Sequence, residues 1–279
     1  MRYKIVADSS TDVNQEMQER MNIQLAPLTL EIDGVRFIDD ETFNVPEYLD
    51  LTEKSPNVPK SACPSPDDYL KAYHGDEDGV FVITLSSELS GSYSTAILAK
   101  ELLEEEDSTK KVHVFDSKSA CAGQVAIALK VQEYIEADLD FEDIVEKVEA
   151  YITQMATVFV LEKIEHLQKN GRMTKMKATI VNVLNIKLVL IANDNGEIQL
   201  YSQARGTKKA IDKMIQSFND VGTVSKDKFI VIAHVEAEER AIMIKEKIAA
   251  LYDFKEIFIV KTKGLSSNYA NKGGIVIAF

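Results

Sequence analysis

Short β-branched runs alternate with amphipathic segments of helical length along the chain, and this alternation limits the fold more than any other feature. "YKIVA" (3–7), "GVFVIT" (79–84) and "KVHVF" (111–115) read as strands, each followed by a polar bend and then a helix. Parallel strands need crossover connections, so the pattern predicts an α/β class with a mostly parallel N-terminal sheet flanked by helices. The periodicity places helices at 14–21, 45–53, 67–73, 91–104, 121–136 and 141–154. "SPDDY" (65–69) supplies a helix start: Ser65 as N-cap, Pro66 in the first turn, and two acids at the positive end of the dipole. "APLTLEIDGVRFI" (26–38) alternates around Asp33-Gly34 and predicts an antiparallel pair.

The second half predicts a helix pair broken at Gly171, then strands "IKLVLIA" and "EIQLYSQA" around Asn195-Gly196. A helix at 207–218, "KFIVIAHV", a helix at 236–250 and "EIFIVKT" follow, and the last residues are the apolar run "GIVIAF". Such a terminal run is buried only if it pairs into a sheet. A length of 279 residues suits two domains, and the change of pattern puts the boundary between 1–155 and 156–279, the second unit being α/β with a mixed sheet.

A net charge of -13 argues against general affinity for nucleic acid or anionic lipid. No apolar run approaches the roughly 20 residues that span a bilayer, so a cytoplasmic protein without a transmembrane segment is expected, and a monomer. Cys63 and Cys121 lie far apart, with no spacing for a disulfide framework or zinc knuckle. The four histidines (74, 113, 166, 234) do not cluster, so neither a metal nor a cofactor is expected.

The stretch "TLSSELSGSYSTA" (84–96) holds five serines and two threonines where a strand gives way to a helix. Free N–H groups and the helix dipole make Ser90-Gly91-Ser92 a ready anion site, whereas a plain N-cap accounts for one hydroxyl and not five. "ADSSTD" (7–12), "SACPS" (61–65) and "FDSKSACAG" (115–123) repeat the chemistry at other bends. Ligands of open α/β sheets bind outside the carboxyl ends of the strands, where these loops would converge. Neither a G-x-S-x-G elbow nor a P-loop is present, and no histidine is placed to serve as a base. Asp8 lacks a D-x-D partner and is read as an acceptor for loop N–H groups.

Taken together, "KIVADSSTDV", "SACPSPDDY", "SSELSGSYSTA", "VFDSKSACAGQ", "LEKIEHLQKNGRMTK" and the terminal "GGIVIAF" resemble the DegV family, over the length of the chain. The resemblance implies a two-domain α/β fold holding a long-chain fatty acid such as palmitate, stearate or oleate between the domains. It further implies a non-catalytic binding subunit whose partner, the catalytic subunit of a fatty acid kinase, phosphorylates the bound carboxylate for phospholipid synthesis. The family's Thr-Ser-Gln-Pro loop reads Ser61-Ala62-Cys63-Pro64 here and its Ser-Gly-Thr reads Ser90-Gly91-Ser92, which puts the carboxylate on Ser61, Ser90, Gly91 and Ser92. Where the family often has His-x-Gly-Pro-Gly, this chain has "SSNYANKGG" (266–274), with Asn268 or Tyr269 at the place of the histidine and Asn268 taken as the site residue.

Tunnel walls are expected from Ala122 and its small neighbours Ala120, Gly123 and Ala126, and from Met173, Met176, Ile180 and Val183 on one helical face. The same spacings also suit ordinary core packing. Between Leu161 and Met214 the local charge is +5, against -18 for the rest of the chain. Arg172 and Arg205 in that segment are the candidates for docking the kinase or the transferring phosphate. A competing reading is an independent hydrolase or phosphotransferase using the serine-rich cleft, and another is a regulatory protein whose ligand is incidental.

Overall fold

The structure, a computed structural model, describes residues 2–173 and 185–279. The first half runs β1 (Tyr3–Asp8), α1 (Gln15–Arg20), β2 (Ile23–Ala26), β3 (Thr29–Ile32), β4 (Val35–Ile38), α2 (Val45–Lys54), β5 (Lys60–Ala62), α3 (Pro66–Tyr73), β6 (Gly79–Thr84), α4 (Ser92–Glu106), β7 (Lys111–Asp116), α5 (Ala122–Glu136) and α6 (Phe141–Gln154). The second half runs β8 (Thr157–Val160), α7 (Glu165–Lys169), β9 (Ile186–Ala192), β10 (Ile198–Arg205), α8 (Thr207–Gln216), α9 (Phe218–Val221), β11 (Phe229–His234), α10 (Glu238–Leu251), β12 (Glu256–Lys261), α11 (Gly264–Ala270) and β13 (Ile275–Ala278).

The described residues form three sheets. Four parallel strands lie in the order β2-β1-β6-β7. Six strands form the mixed sheet β10-β9-β8-β13-β11-β12, in which only β11 and β12 pair in parallel. The hairpin expected around Asp33-Gly34 is present as β3–β4, and β5 extends it to a small antiparallel sheet that the pattern did not announce, its three residues being too short and polar to read as a strand. Also missed was β8, whose four residues are all buried and follow directly on α6. The helix start at Ser65 is a complete capping box closed by Asp68.

Burial explains the layering. Residues 122–131 of α5 are buried on every side, because the helix packs on β1 and β6 of the parallel sheet and on β11 and β13 of the mixed one. One apolar cluster therefore runs from Ile5 and Phe81 through Val125 and Ala126 to Val231 and Ala278. The terminal run pairs on both edges, β13 lying between β8 and β11 with Phe279 fully buried.

Candidate functional site

The loops after β1, β6 and β7 leave the same carboxyl end of the parallel sheet, as parallel strands require, and there they line one cavity with β5, α11, the turn after α7 and the β9–β10 hairpin. Between them lies a cavity of about 300 Å³. Leu28, Leu85, Phe159, Leu161, Leu167, Ile198, Leu265 and Val276 give it apolar walls. Hydroxyls enter from Ser10, Ser61, Ser90, Ser119, Thr157, Ser266 and Tyr269. An apolar cavity with a few convergent polar groups is the usual form of a small-molecule site.

Ser61 Oγ and Tyr269 Oη are hydrogen-bonded at 2.9 Å, and Ser90, Gly91 and Cys63 line the same cavity. Ser90 precedes the N-cap residue and still reaches the start of α4. Its Oγ accepts the Ser92 N–H at 3.2 Å, which leaves the hydroxyl proton for another acceptor, and Gly91 is the N-cap residue. Gly91 has no Cβ to intrude, and one built there would stand 3.4 Å from Cys63 Sγ. Arg172 also lines the cavity, its Nε donating to the Leu89 carbonyl at 3.2 Å and its Nη1 to the Asn170 carbonyl.

Much of the serine-rich chemistry is turned to holding the loops together. Ser92 is fully buried, is absent from the cavity lining, and donates to Asp8 Oδ2 at 2.6 Å while pairing with Tyr69 Oη at 2.6 Å. Asp8 also accepts the Leu85 N–H at 2.7 Å, Ser10 Oγ at 2.8 Å and Gln124 Nε2 at 2.9 Å. Burial raises the Asp8 pKa and these donors oppose it, so the carboxylate joins the loops after β1 and β6 to α5. Ser119 Oγ and Thr157 Oγ1 meet at 2.7 Å, and Ser86 Oγ donates to the Gly196 carbonyl at 2.8 Å, linking the first half of the chain to the second.

Helix α11 had no counterpart in the expected elements, and buried carboxylates from far along the chain set its position. Asp39 accepts the Gly264 N–H at 2.7 Å, the Leu265 N–H at 2.9 Å and Ser9 Oγ at 2.9 Å. Asp12 Oδ1 accepts the Lys263 N–H at 2.6 Å. The helix then turns Leu265, Ser266, Tyr269 and Ala270 to the cavity. Asn268 is placed otherwise: its Oδ1 accepts from Tyr48 Oη at 3.1 Å, its carbonyl meets His166 Nδ1 at 2.7 Å, and it does not line the cavity.

Of the residues singled out in the sequence, Ser61, Ser90, Gly91 and Arg172 come together at the cavity. Ala122 and Met173 are buried in the core without lining it, Ala120 and Cys121 being the lining residues next to Ala122. Arg205 is exposed at the end of β10, opposite Ile186. Met176, Ile180 and Val183 lie outside the described residues. Tyr269, weighed only as an alternative to Asn268, and Thr157 and Phe159 of the unrecognised β8 are lining residues that the pattern left out. The four-residue run "TVFV" was the available signal for the last two.

Comparison with known proteins matches residues 2–279 to the pattern of the family described as uncharacterised protein, DegV family. A DegV domain-containing protein of Streptococcus pneumoniae is 35% identical over 282 residues, with 100% of this chain and 99% of that protein covered. The crystal structure of a DegV family protein from Ruminococcus gnavus, refined with vaccenic acid, superposes with a TM-score of 0.96 at 40% identity, covering 99% of both chains. The Streptococcus pneumoniae fatty acid kinase (Fak) B3 protein loaded with linoleic acid gives 0.91 at 33% identity, covering 100% of this chain and 99% of that one. A DegV family protein from Eubacterium eligens loaded with heptadecanoic acid gives 0.91 at 32%, covering 99% and 98%.

Proposed function

Because the chain belongs to the DegV family, we propose that it binds one long-chain fatty acid, palmitate, stearate or oleate in class, and presents the carboxylate to a fatty acid kinase for acyl phosphate formation. The tail lies in the apolar cavity between units 1–155 and 156–279. Ser61, Ser90, Tyr269 and the backbone at Gly91 take the carboxylate. Ser92 supports them through Asp8, and Asn268 by holding α11. The chain is then a binding subunit, and phosphoryl transfer belongs to the partner.

The observation that carries this reading is the chemistry around one cavity: apolar walls interrupted by a few hydroxyls, among them the hydrogen-bonded Ser61–Tyr269 pair and Ser90. Burying 14 to 16 methylenes at about 0.8 kcal/mol each yields on the order of 11 to 13 kcal/mol, against an association cost of at least ~4. The tail can supply affinity, and the hydroxyls keep the carboxylate from the cost of burial without partners.

Mass spectrometry of an organic extract from purified protein tests this. About one fatty acid per chain is expected, with a thermal shift when palmitate or oleate is added back to delipidated protein. Finding neither would end the proposal.

A further inference from the structure

Ser266 sits where the cavity chemistry is incomplete. Ser10, Ser119 and Thr157 each line the cavity with their hydroxyls already hydrogen-bonded to protein groups. Ser266 lines it too and is 8% exposed, yet its Oγ has no hydrogen-bond partner among the described residues. Behind it Asp12 uses Oδ1 for the Lys263 N–H, while its Oδ2 is buried and has no hydrogen-bond partner among the described residues. The Cys121 thiol, which also lines the cavity, and the Ser266 hydroxyl both face this carboxyl and oppose the rise in its pKa that burial causes. A buried hydroxyl left unsatisfied is destabilising, so a protein that keeps one beside a ligand cavity gains when the ligand supplies the partner.

Position gives the depth. Ser266 and Tyr269 lie three residues apart on the cavity face of α11, so their Cβ atoms are separated by about 5–6 Å. With a carboxylate at the Ser61–Tyr269 pair, an acyl chain that runs along the cavity face of α11 would pass Ser266 near its carboxyl end. We infer that Ser266, backed by Asp12 and Cys121, forms a polar subsite for a hydroxyl group near the carboxylate, so that the cavity accepts 3-hydroxy fatty acids in addition to plain ones. This rests on the fatty-acid reading above. The ligand hydroxyl donates to or accepts from Ser266 Oγ, and no covalent step is involved.

The experiment measures the ratio of Kd values for palmitate and 3-hydroxypalmitate by competition on delipidated protein, for the wild type, Ser266→Ala and Ser266→Thr. The wild type should favour the hydroxylated acid relative to the alanine variant by about tenfold, the worth of one net hydrogen bond, and threonine, which keeps the hydroxyl, should retain the preference. Thermal melts establish that each variant is folded. An unchanged ratio in Ser266→Ala, or a gain for 12-hydroxystearate in place of 3-hydroxypalmitate, overturns the subsite while leaving the fatty-acid reading intact. If palmitate itself fails to bind the wild type, the fatty-acid reading falls instead.

Discussion

Ser61 and Ser90 reach the cavity by different routes, one from a three-residue strand and the other from the turn that opens α4. Ser61→Ala and Ser90→Ala should each weaken fatty acid binding by about 1 to 3 kcal/mol, because each leaves a buried carboxylate short of a partner while the tail contacts persist. Their effects should be non-additive, and titration of the double variant with palmitate checks both statements. Asp12 makes a separate prediction. Burial pushes its carboxyl from an ordinary value near 3.8 up to about 7, so between those values the folded state holds a proton that the unfolded chain has released. Folding stability from this residue is then greatest at low pH, declines as pH rises through that window, and is flat above it. Asp8 and Asp39 are shifted in the same direction by burial. Asp12→Asn keeps an acceptor for the Lys263 N–H but cannot ionise, so its melting temperature should fall less between pH 5 and pH 8 than that of the wild type.

The β9–β10 hairpin contributes Ala192, Gly196 and Ile198 to the cavity by lying against the loops of the first half. Gly196 has a φ of +84°, and a Cβ there would collide with Ser86 Oγ and lie 2.8 Å from Lys118 Cα. Gly196→Ala should therefore cost more than about 1 kcal/mol, combining a left-handed backbone with a contact against main-chain atoms that cannot move aside. Urea denaturation gives the stability, and faster release of bound fatty acid from the variant would report the loosened hairpin.

Taken whole, the molecule is acidic, and the stretch from Leu161 to Met214 carries a local charge of +5. Arg172 from that stretch stands at the cavity and Arg205 on an exposed strand end, so the two differ in what they can reach. Arg172→Ala and Arg205→Ala are expected to slow acyl phosphate formation with a cognate kinase while fatty acid remains bound. Raising the salt concentration should narrow the gap from wild type, since screening removes the advantage of a positive docking field. Rates that are unchanged and insensitive to salt in both variants would make these arginines ordinary solvated side chains.

Local chemistry determined the α/β class, the strands β1, β6 and β7, the capped start of α3 and the Asp33-Gly34 hairpin, because each depends on residues within a few positions of one another. The hydroxyl-rich bends were visible for the same reason. Their division of labour was not: Ser90 and Ser92 are two residues apart, yet one faces the cavity and the other is bound to Asp8, 84 positions away in the chain. Helix α11 is seven residues with no side-chain cap of its own, and Asp39, 225 positions before Gly264, supplies the acceptor for its first N–H groups. Tyr269 rather than Asn268 faces the cavity because that distant anchor fixes the rotation of the helix. Periodicity carries contacts along one element, and only the packed structure decides which long-range partner satisfies each buried polar group.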